Sequence, residues 1–178
     1  RASEEPGVDL WISDSTMWSH ARRQPVVGAP TSIASSPVVA IAAPDTAAAL
    51  AEDGVFSWQT AAALPKGTTM AFQDPTSTAT GLLTAWPILS TLRQYDSVRF
   101  HGLALSANAL AGGSVLTAES ITAPPPGTLG FAAEYAVAPG DGVAVLRGKE
   151  GEPYFDFPAY NQATDPQVQA GVQELIAV

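Results

Sequence analysis

Three stretches of the chain gather hydroxyl and carboxylate side chains at the edges of apolar runs: Ser13-Asp14-Ser15-Thr16, Ser35-Ser36 and Asp74-Pro75-Thr76-Ser77-Thr78. The first and third follow a predicted strand and precede a predicted helix, and the second enters its strand. A helix start leaves its first backbone N–H groups without intrahelical partners, and the helix dipole adds a positive end there. Hydroxyls beside such groups bind polar or anionic solutes by hydrogen bonds alone, without a counter-cation. The same residue types cap helices and build turns, which accounts for any one of these loops taken singly. Three in one chain point instead to a polar crevice of the kind open α/β sheets form beyond their strand ends. The candidate ligand-binding residues are Ser13, Asp14, Ser15, Ser35, Ser36, Thr76, Ser77 and Thr78. Glu119 and Tyr154 join them because each falls near a predicted strand end, where a ligand role and a structural one stand equal.

Signs of catalysis are missing. The chain has no G-x-S-x-G elbow, no Walker loop and no G-x-G-x-x-G fingerprint. His20 and His101 are its two histidines, and neither belongs to a metal-ligand spacing, so both are read as structural or solvent-facing. Asp14 is followed by Thr16 and Trp18, which breaks the D-x-S-x-S spacing that holds a divalent cation. With no cysteine there is no thiol nucleophile, no disulfide and no thiolate zinc site. No catalytic residue, metal or cofactor is expected, and the chain is not read as an enzyme.

The charge balance narrows the partners. Eight basic residues against 17 acidic ones give a net charge of −9, and Arg22-Arg23 is the one basic pair. Such a surface repels nucleic-acid backbones and anionic membranes. No stretch reaches the roughly 20 apolar residues of a membrane span. With 46% apolar residues over 178 positions, the chain can build a core of useful size. It opens on Arg1 and shows no signal segment, so a processed or trimmed form of an exported protein is the expectation.

Strand and helix patterns alternate along the chain. Strands are predicted at Val8–Ile12, Ile33–Ala42, Thr68–Phe72, Phe131–Val137, Val143–Leu146 and Tyr154–Ala159. Helices are predicted after Asp14, Pro44, Ser57 and Gly81, over Val98–Leu110, and from Pro166 to the end; Ser114–Thr122 reads equally as strand or helix. Pro87 should kink or break the fourth helix, whose Leu82, Leu83, Trp86, Leu89 and Leu92 are expected on one side. Trp11, Trp18, Trp58 and Trp86 are read as core. The alternation implies an α/β fold with a largely parallel sheet.

Several segments, in order, resemble one family. Asp9-Leu10-Trp11-Ile12-Ser13-Asp14-Ser15-Thr16-Met17-Trp18, Ile33-Ala34-Ser35-Ser36-Pro37-Val38-Val39 and Phe72 to Leu83 are similar to segments of actinobacterial type 2 periplasmic solute-binding-like domains. Leu116 to Glu119 and Tyr154 to Pro158 resemble late segments of the same family, and the Asp74–Thr78 loop is distantly similar to that of molybdate-binding proteins. The resemblance implies a two-lobed fold, with residues 1–44 and 133–178 in one lobe, 45–132 in the other, and a small polar or anionic solute in the interlobe cleft. It further implies an extracytoplasmic, secreted or surface-anchored protein with a von Willebrand A domain adjacent in the full-length chain. The family's opening strand and helix and its final helices have no counterpart here, which implies a form trimmed at both ends. A surface adhesion module with the same fold and no ligand is the alternative.

Overall fold

The computed structural model describes residues 8–21, 28–71, 73, 78–95, 124–138, 140 and 142–177. In chain order its elements are strand β1 (Leu10–Ile12), helix α1 (Met17–Ala21), strands β2 (Thr31–Ser32) and β3 (Ser36–Ala42), and helix α2 (Pro44–Leu50). Strand β4 (Val55–Phe56), helix α3 (Trp58–Ala62), strand β5 (Thr69–Ala71) and helix α4 (Ala79–Tyr95) follow. The chain closes with strands β6 (Thr128–Ala133), β7 (Ala144–Gly148), β8 (Tyr154–Phe155) and β9 (Pro158–Asn161) and helix α5 (Pro166–Ile176). Two compact units share these elements: residues 36–154 form one, and residues 1–35 with 155–178 form the other. The sequence expectation put the divisions at 44/45 and 132/133. The first point falls at the start of α2 and the second in β6, and both elements belong to the 36–154 unit.

The sheet of the 36–154 unit runs β4-β7-β3-β6-β5. Val38 to Ala42 at its centre are at most 1% exposed, as the unbroken apolar run predicts for a strand covered on both faces. Side chains alternate along a strand, so Val39 and Ile41 join Ala71 and Ala132 in one cluster. Ala40 lies in register with Phe131 and Leu146 on the opposite face. Here the sheet departs from the expected largely parallel arrangement. β3 pairs antiparallel with both neighbours, and the outer pairs β4–β7 and β5–β6 are parallel. Alternating strands and helices fix the class of fold but not the direction in which a later strand returns beside an earlier one.

Short helices pack on this sheet, and each starts where local chemistry allows. Pro44 opens α2, where its missing N–H costs nothing. Ser57 caps α3 by accepting from the Gln59 amide at 3.1 Å. Trp58 then stacks on Phe131 (centroids 5.5 Å, 14°) and meets Phe56 edge-on (5.1 Å, 66°), and its Nε1 donates to the Gly151 carbonyl at 3.0 Å. α4 continues unbroken through Pro87. Among its described side chains Ala79, Thr84 and Ile88 are 0% exposed and Thr80 7%, while Trp86 is 74% exposed. Trp58 is therefore core as expected, and Trp86 is not.

The terminal unit is a three-stranded antiparallel sheet in the order β1-β9-β2. Trp11 lies opposite Tyr160 and stacks on it at 4.9 Å. β1 is half-buried rather than buried, with Ile12 49% exposed. Asp165 caps α5 by accepting from the Gln167 and Val168 amides at 2.8 and 3.2 Å, and none of the helix's residues is buried. The alternating run expected as one strand over Tyr154–Ala159 is split into β8 and β9. Phe157 between them has φ of +31°, which ends a regular ladder.

Candidate functional site

The loop from Ser13 to Thr16 is held by hydrogen bonds on every residue. The Ser13 hydroxyl donates to the Ser15 carbonyl at 2.9 Å, and the Ser13 amide donates to the Pro158 carbonyl at 3.2 Å. Asp14 accepts from the Trp18 indole N–H at 2.7 Å. Ser15 is 3% exposed, and its Oγ accepts from the Met17 amide at 3.2 Å, so Ser15 opens α1. The Thr16 amide donates to the Asp156 carboxylate at 2.9 Å. Three of the expected site residues, Ser13, Asp14 and Ser15, thus sit in one ordered loop.

The segment just before the second candidate stretch reaches the same region of this unit. Ser32, on β2, donates its hydroxyl to the Asp156 carbonyl at 2.6 Å, and the Ile33 amide donates to the Phe157 carbonyl at 3.2 Å. Ser35 follows and is exposed. Segments 13–16 and 32–35 are therefore both tied to residues 156–158. Asp156 and Ser32 were absent from the expected site. Nothing in spacing marks them, since Asp156 lies 140 residues from the amide it holds.

The remaining expected residues fall elsewhere. Ser36 belongs to the other unit, is 7% exposed, and accepts from the Tyr135 amide at 3.4 Å. Thr78 caps α4, its Oγ1 accepting from the Gly81 amide at 3.1 Å. Tyr154 is 62% exposed. Thr76, Ser77 and Glu119 lie outside the described residues, as do His101, the Val98–Leu110 helix and Ser114–Thr122. Among the described residues no three His, Asp or Glu side chains gather to hold a metal ion.

One carboxylate has a shifted acidity. Partial burial pushes Glu150 upward, but hydrogen bonds from the Ser57 hydroxyl and the Trp58 amide, its own backbone amide and the charge of Lys149 outweigh this and hold it below the usual carboxylate value. Its oxygens lie 2.7 Å from Ser57 Oγ and 3.2 Å from the Trp58 nitrogen, which makes it an anchor for α3.

Two solved structures resemble this chain. One is described as the substrate-binding domain of a molybdenum ABC transporter from Clostridium difficile, with TM-score 0.52 and 12% identity, covering 99% of this chain and 73% of that one. The other is a periplasmic thiamin binding protein, with TM-score 0.50 and 13% identity, covering 87% of this chain and 49% of that one. No family model and no curated protein sequence matches the chain. Such identities carry the fold and no more. By that likeness and its mixed sheets and helices, the chain has an α/β fold of the periplasmic solute-binding-protein type.

Proposed function

We propose that the chain is an extracytoplasmic solute-binding domain that holds a small polar or anionic solute and does no chemistry on it. The carrying observation is the likeness in fold to two binding proteins, joined to an ordered loop whose Ser13, Asp14 and Ser15 offer hydroxyl and carboxylate groups. Ser35, Ser36, Thr76, Ser77, Thr78, Glu119 and Tyr154 complete the proposed ligand set. Recognition rests on hydroxyls and backbone N–H groups, because no Lys or Arg occurs in the candidate loops. The sequence resemblance adds a surface-anchored full-length protein of the actinobacterial kind, with a von Willebrand A domain adjacent.

A second reading has its own support. Ser15, Ser36 and Thr78 each accept from a backbone amide within the fold, which is capping work and needs no ligand. On this reading the fold serves as a surface adhesion module with no solute.

Thermal unfolding against molybdate, thiamin, amino acids and sugars separates the two. The two neighbours suggest an oxyanion and a cation as first probes, so the panel also reports the sign of charge. A solute at about 100 times its dissociation constant adds about 2.7 kcal/mol, several degrees for a domain of this size. The solute-binding reading expects such a shift and its loss in the Ser36→Ala, Thr76→Ala double variant. No shift with any compound favours the adhesion module.

A further inference from the structure

Residues 156–158 receive hydrogen bonds from the Ser13–Thr16 loop and from Ser32 and Ile33, and the backbone is bent to allow it. Successive carbonyls of a regular strand point to opposite sides. Here the carbonyls of Asp156 and Phe157 both turn to the segment after Thr31, accepting from the Ser32 hydroxyl and the Ile33 amide. The next carbonyl, of Pro158, turns the other way and accepts from the Ser13 amide. The φ of +31° at Phe157, between the Asp156 and Phe157 carbonyls, accounts for those two sharing a side, much as a bulge re-aims a strand. Pro158 has no N–H to leave unpaired at the bend. The Asp156 side chain then spans back to the Thr16 amide at 2.9 Å, so one residue grips both loops, one by its backbone and one by its carboxylate.

We propose that Asp156 is the positioning residue of the Ser13–Thr16 loop, and that the bent Asp156–Pro158 segment couples this loop to residues 32–35. The functional consequence rests on the solute-binding reading; the positioning itself does not. Displacing either loop then disturbs the other through the shared segment, in a unit whose sheet order already places β9 between β1 and β2.

The test needs no ligand in its first arm. Amide hydrogen exchange at Thr16 reports the bond directly, and the Trp18 indole resonance reports the loop through its bond to Asp14. Asp156→Ala should speed Thr16 exchange about tenfold or more and move the Trp18 indole signal, with the signal of Trp11, stacked on Tyr160 in the same unit, unchanged. Asp156→Asn keeps an acceptor oxygen at the same reach and should leave both Thr16 and Trp18 near wild type. Ser32→Ala should move the Trp18 signal in the direction Asp156→Ala does. Unchanged Thr16 exchange in the Ala variant, or equal loss in the Asn variant, overturns the proposal. If Asp156→Ala loses the Trp11–Tyr160 stacking signal as well, the terminal unit has unfolded and Asp156→Asn decides: wild-type exchange supports the acceptor role and faster exchange overturns it. The second arm is molybdate titration. A Kd raised about tenfold in the Ala variant but not in the Asn variant extends positioning to binding. Equal affinity in all three confines Asp156 to structure and overturns the coupling to function. Absence of molybdate binding by the wild type counts against the solute reading for that anion, while the exchange arm still decides on Asp156.

Discussion

Glu150 and Thr84 show how single polar groups contribute here. Glu150 holds the Ser57 hydroxyl and the Trp58 amide, and its acidity in the folded chain lies below the usual carboxylate value. A carboxylate with a lowered folded pKa stabilises the fold fully above its unfolded value of about 4.3 and loses that contribution as pH falls through the folded value. Wild type should therefore unfold at a higher temperature than Glu150→Gln at pH 7, and the two melting curves should converge as pH drops below about 4. A constant gap across that range would mean that the carboxylate's charge does not matter. Thr84 is the opposite case. Its hydroxyl is buried on α4, at 0% exposure, and has no hydrogen-bond partner among the described residues. A buried unpaired hydroxyl costs about 1–3 kcal/mol, and Val has the same shape without it. Thr84→Val should raise the urea midpoint, by roughly 1 kcal/mol of stability. At this scale the sequence was partly legible. Hydroxyl-rich loops stood out because caps and turns are local, and Ser15, Ser57, Thr78 and Asp165 all cap helices. Asp156 lies in the Tyr154–Pro158 segment that resembles the family but did not stand out as a site residue, because nothing local hints that a carboxylate meets an amide 140 residues away.

For the elements, helix α4 marks the limit of reading by periodicity. Large apolar residues at helical spacing predicted a buried face through Leu82, Leu83, Trp86 and Leu89. The buried row is instead Thr80, Thr84 and Ile88, beside Ala79 and Gly81. This row faces α3 and β6, the elements α4 packs against, and small side chains are what allow a helix to pack closely. Leu92 lies among residues whose side chains are not described. Trp86→Ala should then stay within about 0.5 kcal/mol of wild type, whereas Trp58→Ala should cost about 3–5 kcal/mol. Equal losses in denaturant titration would put Trp86 in a core after all. The turn after β7 gives a sharper test. A Cβ on Gly148 would lie 2.7 Å from the Gly151 carbonyl oxygen and 3.1 Å from Trp58 Nε1, the two ends of a hydrogen bond. Gly148→Ala should cost about 1–3 kcal/mol and perturb the Trp58 near-ultraviolet signal. A silent substitution would mean that this turn tolerates a shift of both groups.

At the scale of the whole chain, the alternation of strand and helix patterns was enough for an α/β class, and the order of resembling segments was enough for the periplasmic-binding-protein type. Strand direction was not legible, because β3 pairs with β6 and β7 across long separations that local pattern cannot weigh. The division into units follows from that pairing. Residues 36–154 are one continuous stretch carrying the β4-β7-β3-β6-β5 strands and the Phe56–Trp58–Phe131 cluster. The other unit is made from both ends of the chain, and its central strand β9 pairs with β1 and β2, which lie on the far side of the insertion in sequence. Closing that sheet therefore requires the loop between the two ends to close first, an entropic cost that grows only slowly with its length. A continuous unit with its own core should fold when excised. A fragment of residues 36–154 is expected to keep cooperative unfolding and the aromatic signature of Trp58. Fragments 1–35 and 155–178 should each be unstructured alone, because neither contains both sides of a β9 pairing. Mixed at high concentration, the two terminal fragments should regain the Trp11–Tyr160 stack, visible as a Trp11 emission change that Tyr160→Ala abolishes. A 36–154 fragment that melts without cooperativity would make the two units a single folding body.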